Sequence, residues 1–90
     1  MTPLTKNDRI VLFEVATHPG TYASAISHRI GMDGRTVSRS ITRLEKDALL
    51  IRTARSQNNG TRNLTLTSTG RATALLLFAT TMTEAAHAAD

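Results

Sequence analysis

Three arginines stand four residues apart near the middle of this 90-residue chain: Arg35, Arg39 and Arg43. On an α-helix that spacing makes them successive neighbours, and like charges so placed destabilise the helix by roughly 0.2–0.5 kcal/mol per pair. On the same wheel, at about 3.6 residues per turn, Val37, Ile41, Leu44 and Ala48 fall on the opposite side, while Thr42 and Lys46 join the arginines. A row of cations that opposes its own helix is suited to meeting a polyanion. Guanidinium groups make paired hydrogen bonds to guanine O6 and N7 in the major groove of DNA. The chemistry expected of residues 33–48 is therefore that of a DNA recognition helix. Arg35 and Arg39 are expected to read base edges. Thr36, Ser38 and Thr42 are expected to contact bases, thymine methyls or phosphates, and Arg43 and Lys46 to grip the backbone.

The charge distribution agrees. From Arg29 to Arg71 there are nine basic residues against three acids, whereas the flanks hold two basic residues and four acids. A basic centre between neutral or acidic flanks points to nucleic acid. Other chemistries have little to build on. The chain has no cysteine, which excludes disulfides and thiolate metal sites. His18, His28 and His87 have no ligand spacing, so no metal or cofactor is expected, although His28 falls on the outer side of its helix, where a phosphate contact is possible. There is no HExxH, no phosphate-cradling glycine loop and no clustered carboxylate pair, so no enzymatic activity is expected. The start shows no signal-peptide pattern and the longest apolar run is far short of a membrane span, so the expected setting is the cytoplasm.

Several elements must position the arginines. Thr5 followed by Lys-Asn-Asp resembles a capping box with Asp in place of Glu, opening a first helix over about Lys6 to Thr17. His18-Pro19-Gly20 stops it, and Thr21-Tyr22 is a candidate for a very short strand. A second helix is expected over Ala23 to Ile30, with Ala25, Ile26 and Ile30 inward, Gly31 as its left-handed terminus and Met32 filling the gap to the next helix. Asp33 caps the third. Two short helices joined by a glycine turn make a helix-turn-helix. Leu49 to Arg55 then reads as a strand, Ser56 to Gly60 as a turn and Asn63 to Thr67 as a returning strand. A helix-turn-helix followed by a basic hairpin is a winged helix. Arg52, Arg55, Asn58, Asn59 and Arg62 are the wing candidates. Arg62 is the best placed for a minor groove, because a narrow A·T-rich groove concentrates negative potential.

Thr67 or Ser68 caps a last helix, expected from about Thr69 to Ala88 and so roughly 30 Å long. Ala72, Leu75, Ala79, Met82, Ala86 and Ala89 recur at spacings of three and four, as on a coiled-coil seam. With an apolar share of 40% and aromatics of 3%, the core is expected to be aliphatic and thin. So small a domain cannot bury such a helix alone. A second copy of the chain is the expected cover, with Leu75, Ala79, Met82 and Ala86 at the contact.

Residues 36–72, TVSRSITRLEKDALLIRTARSQNNGTRNLTLTSTGRA, resemble the MarR family of winged-helix transcription regulators. The features that carry the resemblance are T-V-S-R with L-E later in the helix, the apolar triplet Leu49 to Ile51, the basic wing, and L-T-x-x-G-R at Leu66 to Arg71. The resemblance implies a homodimer on a pseudo-palindromic operator, with the third helices in adjacent major grooves and the wings at the flanking minor grooves. The family's wing arginine falls on Arg62. The chain departs from the pattern at Gly60, where the family usually has an acid, and at Ala48, where it often has glycine. A left-handed alanine there costs on the order of 1 kcal/mol. Typical members are longer, with dimerisation helices at both ends that help form a pocket for phenolic effectors; one terminal helix is expected here, so that pocket is not carried over.

The fold expected is thus α+β: a small winged helix-turn-helix domain over residues 1–68 and a long C-terminal dimerisation helix over 69–90. The function expected is sequence-specific binding of double-stranded DNA as a homodimer, regulating transcription and most simply repressing it. Two alternatives use the same elements: a low-specificity structural or partition-type DNA-binding protein, and a module whose arginines meet an acidic protein partner.

Overall fold

A computed structural model describes residues 4–55 and 62–77 of the chain. Helix α1 spans Lys6–Thr17, α2 Ala23–Ile30 and α3 Gly34–Lys46; strands β1, Leu50–Arg55, and β2, Arg62–Leu66, pair antiparallel; and residues 68–77 are helical and form α4. This is the winged-helix arrangement, three helices and a two-stranded wing followed by a further helix.

Local chemistry sets the element ends. Thr5 accepts from the Asp8 backbone N–H at 3.1 Å, and the Asp8 carboxylate accepts from the Thr5 N–H at 3.3 Å, a reciprocal capping box. Gly31 closes α2 at φ 65°, a conformation that costs glycine nothing. The Asp33 carboxylate accepts from the backbone N–H groups of Arg35 and Thr36, opening α3. The expected ends of α1 and α2 are thus observed as read.

The end of α3 differs. The helix stops at Lys46, and Ala48 stands beyond it, exposed, at φ 59°. The Ala48 N–H donates to the Glu45 carbonyl at 3.0 Å and the Leu49 N–H to the Leu44 carbonyl at 2.9 Å. Those two bonds are the Schellman closure, which normally places glycine where Ala48 stands. The reading of Ala48 as part of the buried face is corrected: the chain reverses there, and Leu49 enters the core instead, with no exposure.

The core is aliphatic throughout. Val11, Leu12 and Val15 of α1, Ile26 of α2, Val37, Ile41 and Leu44 of α3, Leu49, Leu50, Leu64 and Ala74 are all buried. Leu4, Ala23, Ile30, Met32, Leu66 and Leu77 pack at its edge, Met32 from the link between α2 and α3. At the edge on α2 it is Ala23, not Ala25, that joins the core.

The wing pairs Leu50 with Leu66, Ile51 with Thr65 and Arg52 with Leu64. Its register then shifts, so that Arg55 faces Arg62. Thr21-Tyr22 is not a strand. Instead the Gly20 N–H donates to the Leu64 carbonyl at 3.0 Å and the Leu64 N–H to the Thr21 carbonyl at 2.7 Å, while the Thr21 N–H is already held in a turn by His18. These two bonds to Leu64 dock the α1–α2 link on the free edge of β2, which keeps that edge from pairing elsewhere.

Thr67 is the cap of α4. Its hydroxyl accepts from the Gly70 N–H at 2.9 Å and donates to the Ala48 carbonyl at 2.5 Å, while its own N–H donates to the Leu49 carbonyl at 3.1 Å. Gly70 lies so close to this junction that a Cβ would stand 1.8 Å from the Leu49 carbonyl oxygen. The glycine of the L-T-x-x-G-R segment is therefore a packing requirement. It lets the first turn of α4 sit on the Schellman turn that ends α3. Ala74 enters the core one turn on, whereas Leu75 and Leu76 are 69% and 72% exposed. The turn residues Ser56 to Gly60, and Ala79, Met82 and Ala86 of the expected seam, lie outside the described residues.

Candidate nucleic-acid interface

The outer face of α3 is built from its inner one. Val37, Ile41 and Leu44 are buried, which turns Arg35, Ser38, Arg39, Thr42 and Lys46 to solvent, with Thr36 half-buried at the margin. Arg35, Ser38 and Arg39, with Gly34, form one wall of an open groove. The other wall comes from α2 and includes Ser24 and His28. Among the described residues no acid engages the side chain of Arg35 or Arg39.

Arg43 behaves differently, and its reading as one of a row of cations that only opposes the fold is corrected. Its Nη2 donates to Asp8 Oδ1 at 2.7 Å and its Nε lies 3.1 and 3.3 Å from the two carboxylate oxygens. Nη2 also donates to the Ser40 hydroxyl at 3.2 Å. Burial of the Asp8 carboxyl would push its pKa up. The hydrogen bonds from Arg43, Ser40 and the Thr5 N–H, together with the charge of Arg43, outweigh that and hold it below the usual value of 3.8. Arg43 is thus a tie between α3 and the first turn of α1, and its side chain remains 45% exposed. The wheel holds the clue: Arg43 lies roughly 60° from Ser40 at 100° per residue, and Ser40 is fully buried, so Arg43 flanks the packed face instead of crowning the outer one.

A second tie joins α3 to the wing. Thr42 donates to the Ser38 carbonyl at 3.0 Å and accepts from Arg52 Nη2 at 3.2 Å. Arg52 Nε is buried with no hydrogen-bond partner, its nearest acid oxygen being Glu45 Oε1 at 3.7 Å. The Thr42 hydroxyl is therefore occupied inside the protein, and Glu45 serves the α3–wing junction. A third tie lies beneath α2. Arg29 Nε donates to the buried Glu14 at 2.8 Å and its Nη2 to the Thr21 hydroxyl at 2.8 Å. None of the three ties is visible in local spacing. The one sequence signal for the last is an acid, Glu14, set inside the apolar run of α1.

On the wing, Arg62 is the first residue of β2 and is exposed, with its Nε donating to the Thr53 carbonyl at 3.3 Å. Arg55 faces it across the ladder, and Asn59 lies outside the described residues. The structure thus brings Arg35, Ser38 and Arg39 together on one groove, and it sets Thr42, Arg43 and Lys46 further along α3. Among the described residues no group of His, Asp and Glu side chains has the geometry of a metal site, and no helix is long and apolar enough to cross a membrane.

By sequence the chain matches no family model and no curated protein. By structure it is similar to a MarR family transcription regulator (TM-score 0.85, 22% identity, over 91% of this chain and 54% of that one). It is similar to the transcriptional regulator SlyA at a TM-score of 0.84 and 24% identity, over 94% of this chain and 60% of that one. An uncharacterized SlyA-like transcription regulator from Listeria monocytogenes has a TM-score of 0.84 and 27% identity, over 94% of this chain and 57% of the other. The chain therefore spans between 54% and 60% of the length of these structures, and over that span its fold is the MarR-type winged helix.

Proposed function

We propose that this chain binds double-stranded DNA sequence-specifically, as a homodimer, and regulates transcription by occupying its site, most simply as a repressor. The observation that carries the reading is the pair Arg35 and Arg39: exposed, one helical turn apart, and engaged by no acid among the described residues on the outer face of a winged-helix third helix. Phosphate contacts set register and base-edge contacts choose the site. In this reading Arg35, Ser38 and Arg39 meet bases, with Thr36 and the methyl of Thr42 beside them. Lys46 and the exposed part of Arg43 meet the backbone, and Arg55, Asn59 and Arg62 meet the flanking minor groove. The activity is binding in the cytoplasm and requires no cofactor or catalysis.

The dimer is supported by α4, where Ala74 is buried while Leu75 and Leu76 stay largely exposed. Large apolar side chains side by side on a helix mark an interaction face. Leu75 with Ala79, Met82 and Ala86 forms the seam of the dimerisation helix over 69–90, beside the DNA-binding unit of 1–68.

Selection of bound duplexes from a random library with the purified chain tests function and symmetry together. A two-fold symmetric motif is the expected result. Salt-sensitive retention with no enriched motif would instead indicate a structural or partition-type protein, and no retention at low salt would overturn DNA binding.

A further inference from the structure

The groove between α2 and α3 has two walls of unlike chemistry. From α3 come Arg35 and Arg39, each with a guanidinium group that only donates hydrogen bonds. From α2 comes His28, exposed, with Ser24 on the same wall. Among the described residues no acid lines the groove. The acids flanking it are committed elsewhere: Asp33 accepts from the backbone N–H groups that open α3, Glu45 faces Arg52 of the wing at 3.7 Å, and Glu14 of α1 holds Arg29, the neighbour of His28. The Ser27 hydroxyl, also on the α2 wall, donates to the Met32 carbonyl. The charged groups that share the groove with His28 are thus the two arginines across it, and the cation beside it on its own helix is neutralised from below.

We infer that His28, as an imidazolium, is a phosphate-contacting residue of this site, so that duplex binding is coupled to the uptake of a proton. The inference rests on the DNA-binding reading above and adds to it a residue and a pH dependence. With Arg35 and Arg39 directed at the groove of the duplex, the opposite wall meets the sugar-phosphate backbone that borders it. A phosphate seated against an imidazole favours its charged form. Histidine is the side chain whose charge ordinarily changes between about pH 5 and 8. Linkage is reciprocal: the duplex draws a proton onto His28, and a lower pH tightens the duplex.

The test is the affinity of the full chain for a mixed-sequence duplex, followed by fluorescence anisotropy over a salt series at about pH 6 and about pH 8. The unaltered protein is expected to bind up to about fivefold more tightly at the lower pH. Its logarithmic salt slope there should be steeper by about one. His28→Gln is expected to bring the ratio between the two pH values to one. His28→Lys, whose charge is constant over this range, should flatten the pH dependence while keeping the steep slope. His18→Gln, in the turn after α1, should retain the pH dependence of the unaltered chain. Equal affinity of the unaltered protein at both pH values, or a pH dependence that survives in His28→Gln, overturns the inference and leaves DNA binding standing. Failure to bind duplex at either pH overturns both.

Discussion

The carboxylate of Asp8 grips the guanidinium of Arg43, thirty-five residues further along the chain, at 2.7 Å between Oδ1 and Nη2. Asp8 also completes the capping box with Thr5. One buried acid thus starts α1 and ties it to α3, so that the helix carrying Arg35 and Arg39 is braced against the core helix.

That double use separates two variants. Thr5→Ala removes only the cap and is expected to cost about 1 kcal/mol of stability. Asp8→Ala removes a cap bond and also leaves Arg43 without its acid, so its denaturant midpoint should fall further than that of Thr5→Ala. Equal midpoints would mean that the ion pair adds nothing to the fold.

The same acid sets an expected pH dependence of stability. Its pKa in the folded chain is lowered from 3.8, so the unfolded chain binds a proton more readily than the folded one. The stabilisation is present in full above the unfolded value and is lost as pH falls through the lower, folded value. Urea unfolding from neutral pH to below pH 3.8 should show a decline in the unaltered chain that is shallower in Asp8→Asn. Parallel profiles for the two proteins would remove Asp8 from the account of acid stability.

Ala48 offers a test in the opposite direction. At φ 59° an alanine is strained, while the Schellman closure around it is intact. Ala48→Gly relieves that strain and is expected to stabilise the fold by about 0.5–1 kcal/mol, the greater chain entropy of glycine offsetting part of the gain. Thermal unfolding is the measurement, and a lower midpoint for the glycine variant would contradict the reading.

Gly70 is the corresponding test of the α3–α4 junction. An added methyl would stand 1.8 Å from a backbone oxygen, which no rotamer change relieves. Gly70→Ala is expected to cost about 3 kcal/mol or more, since overpacking against backbone moves two elements apart. The companion Gly34→Ala, where a Cβ meets nothing within 4 Å, should leave stability nearly unchanged.

What was legible in the sequence is what local chemistry determines. Thr5, Gly31 and Asp33 mark helix ends through bonds to residues at most three or four positions away, and α1 begins, α2 ends and α3 begins where those residues placed them. The apolar stripe of α3 likewise announced its outer face. Partners distant in sequence were not legible. Asp8 reads as a cap and Arg43 as a free cation until α1 crosses α3, and nothing in the spacing of Glu14 and Arg29 joins them. Gly70 was visible as part of a motif, but its reason, the approach to Leu49, exists only once α4 is folded back on the turn after α3.

The division between Arg39 and its neighbours on α3 gives the most direct test of the interface. Arg39 lies on the groove and no acid among the described residues engages it, whereas Arg43 is held by Asp8 and Lys46 stands in the last turn. A bidentate contact to a base pair is worth about 1–3 kcal/mol of discrimination. Arg39→Ala should therefore lose roughly that much affinity for a selected site, relax the choice at one position and leave unfolding unchanged. Lys46→Ala should weaken every duplex alike and lower the salt slope by about one. Arg43→Ala should lower stability as well, because it leaves the buried Asp8 carboxylate without its cation. If gel shifts instead show Arg39→Ala binding its site as tightly as before, the outer face of α3 is not the reading surface. The dependence on Arg43 would then come from the brace between α1 and α3 and not from contact with DNA.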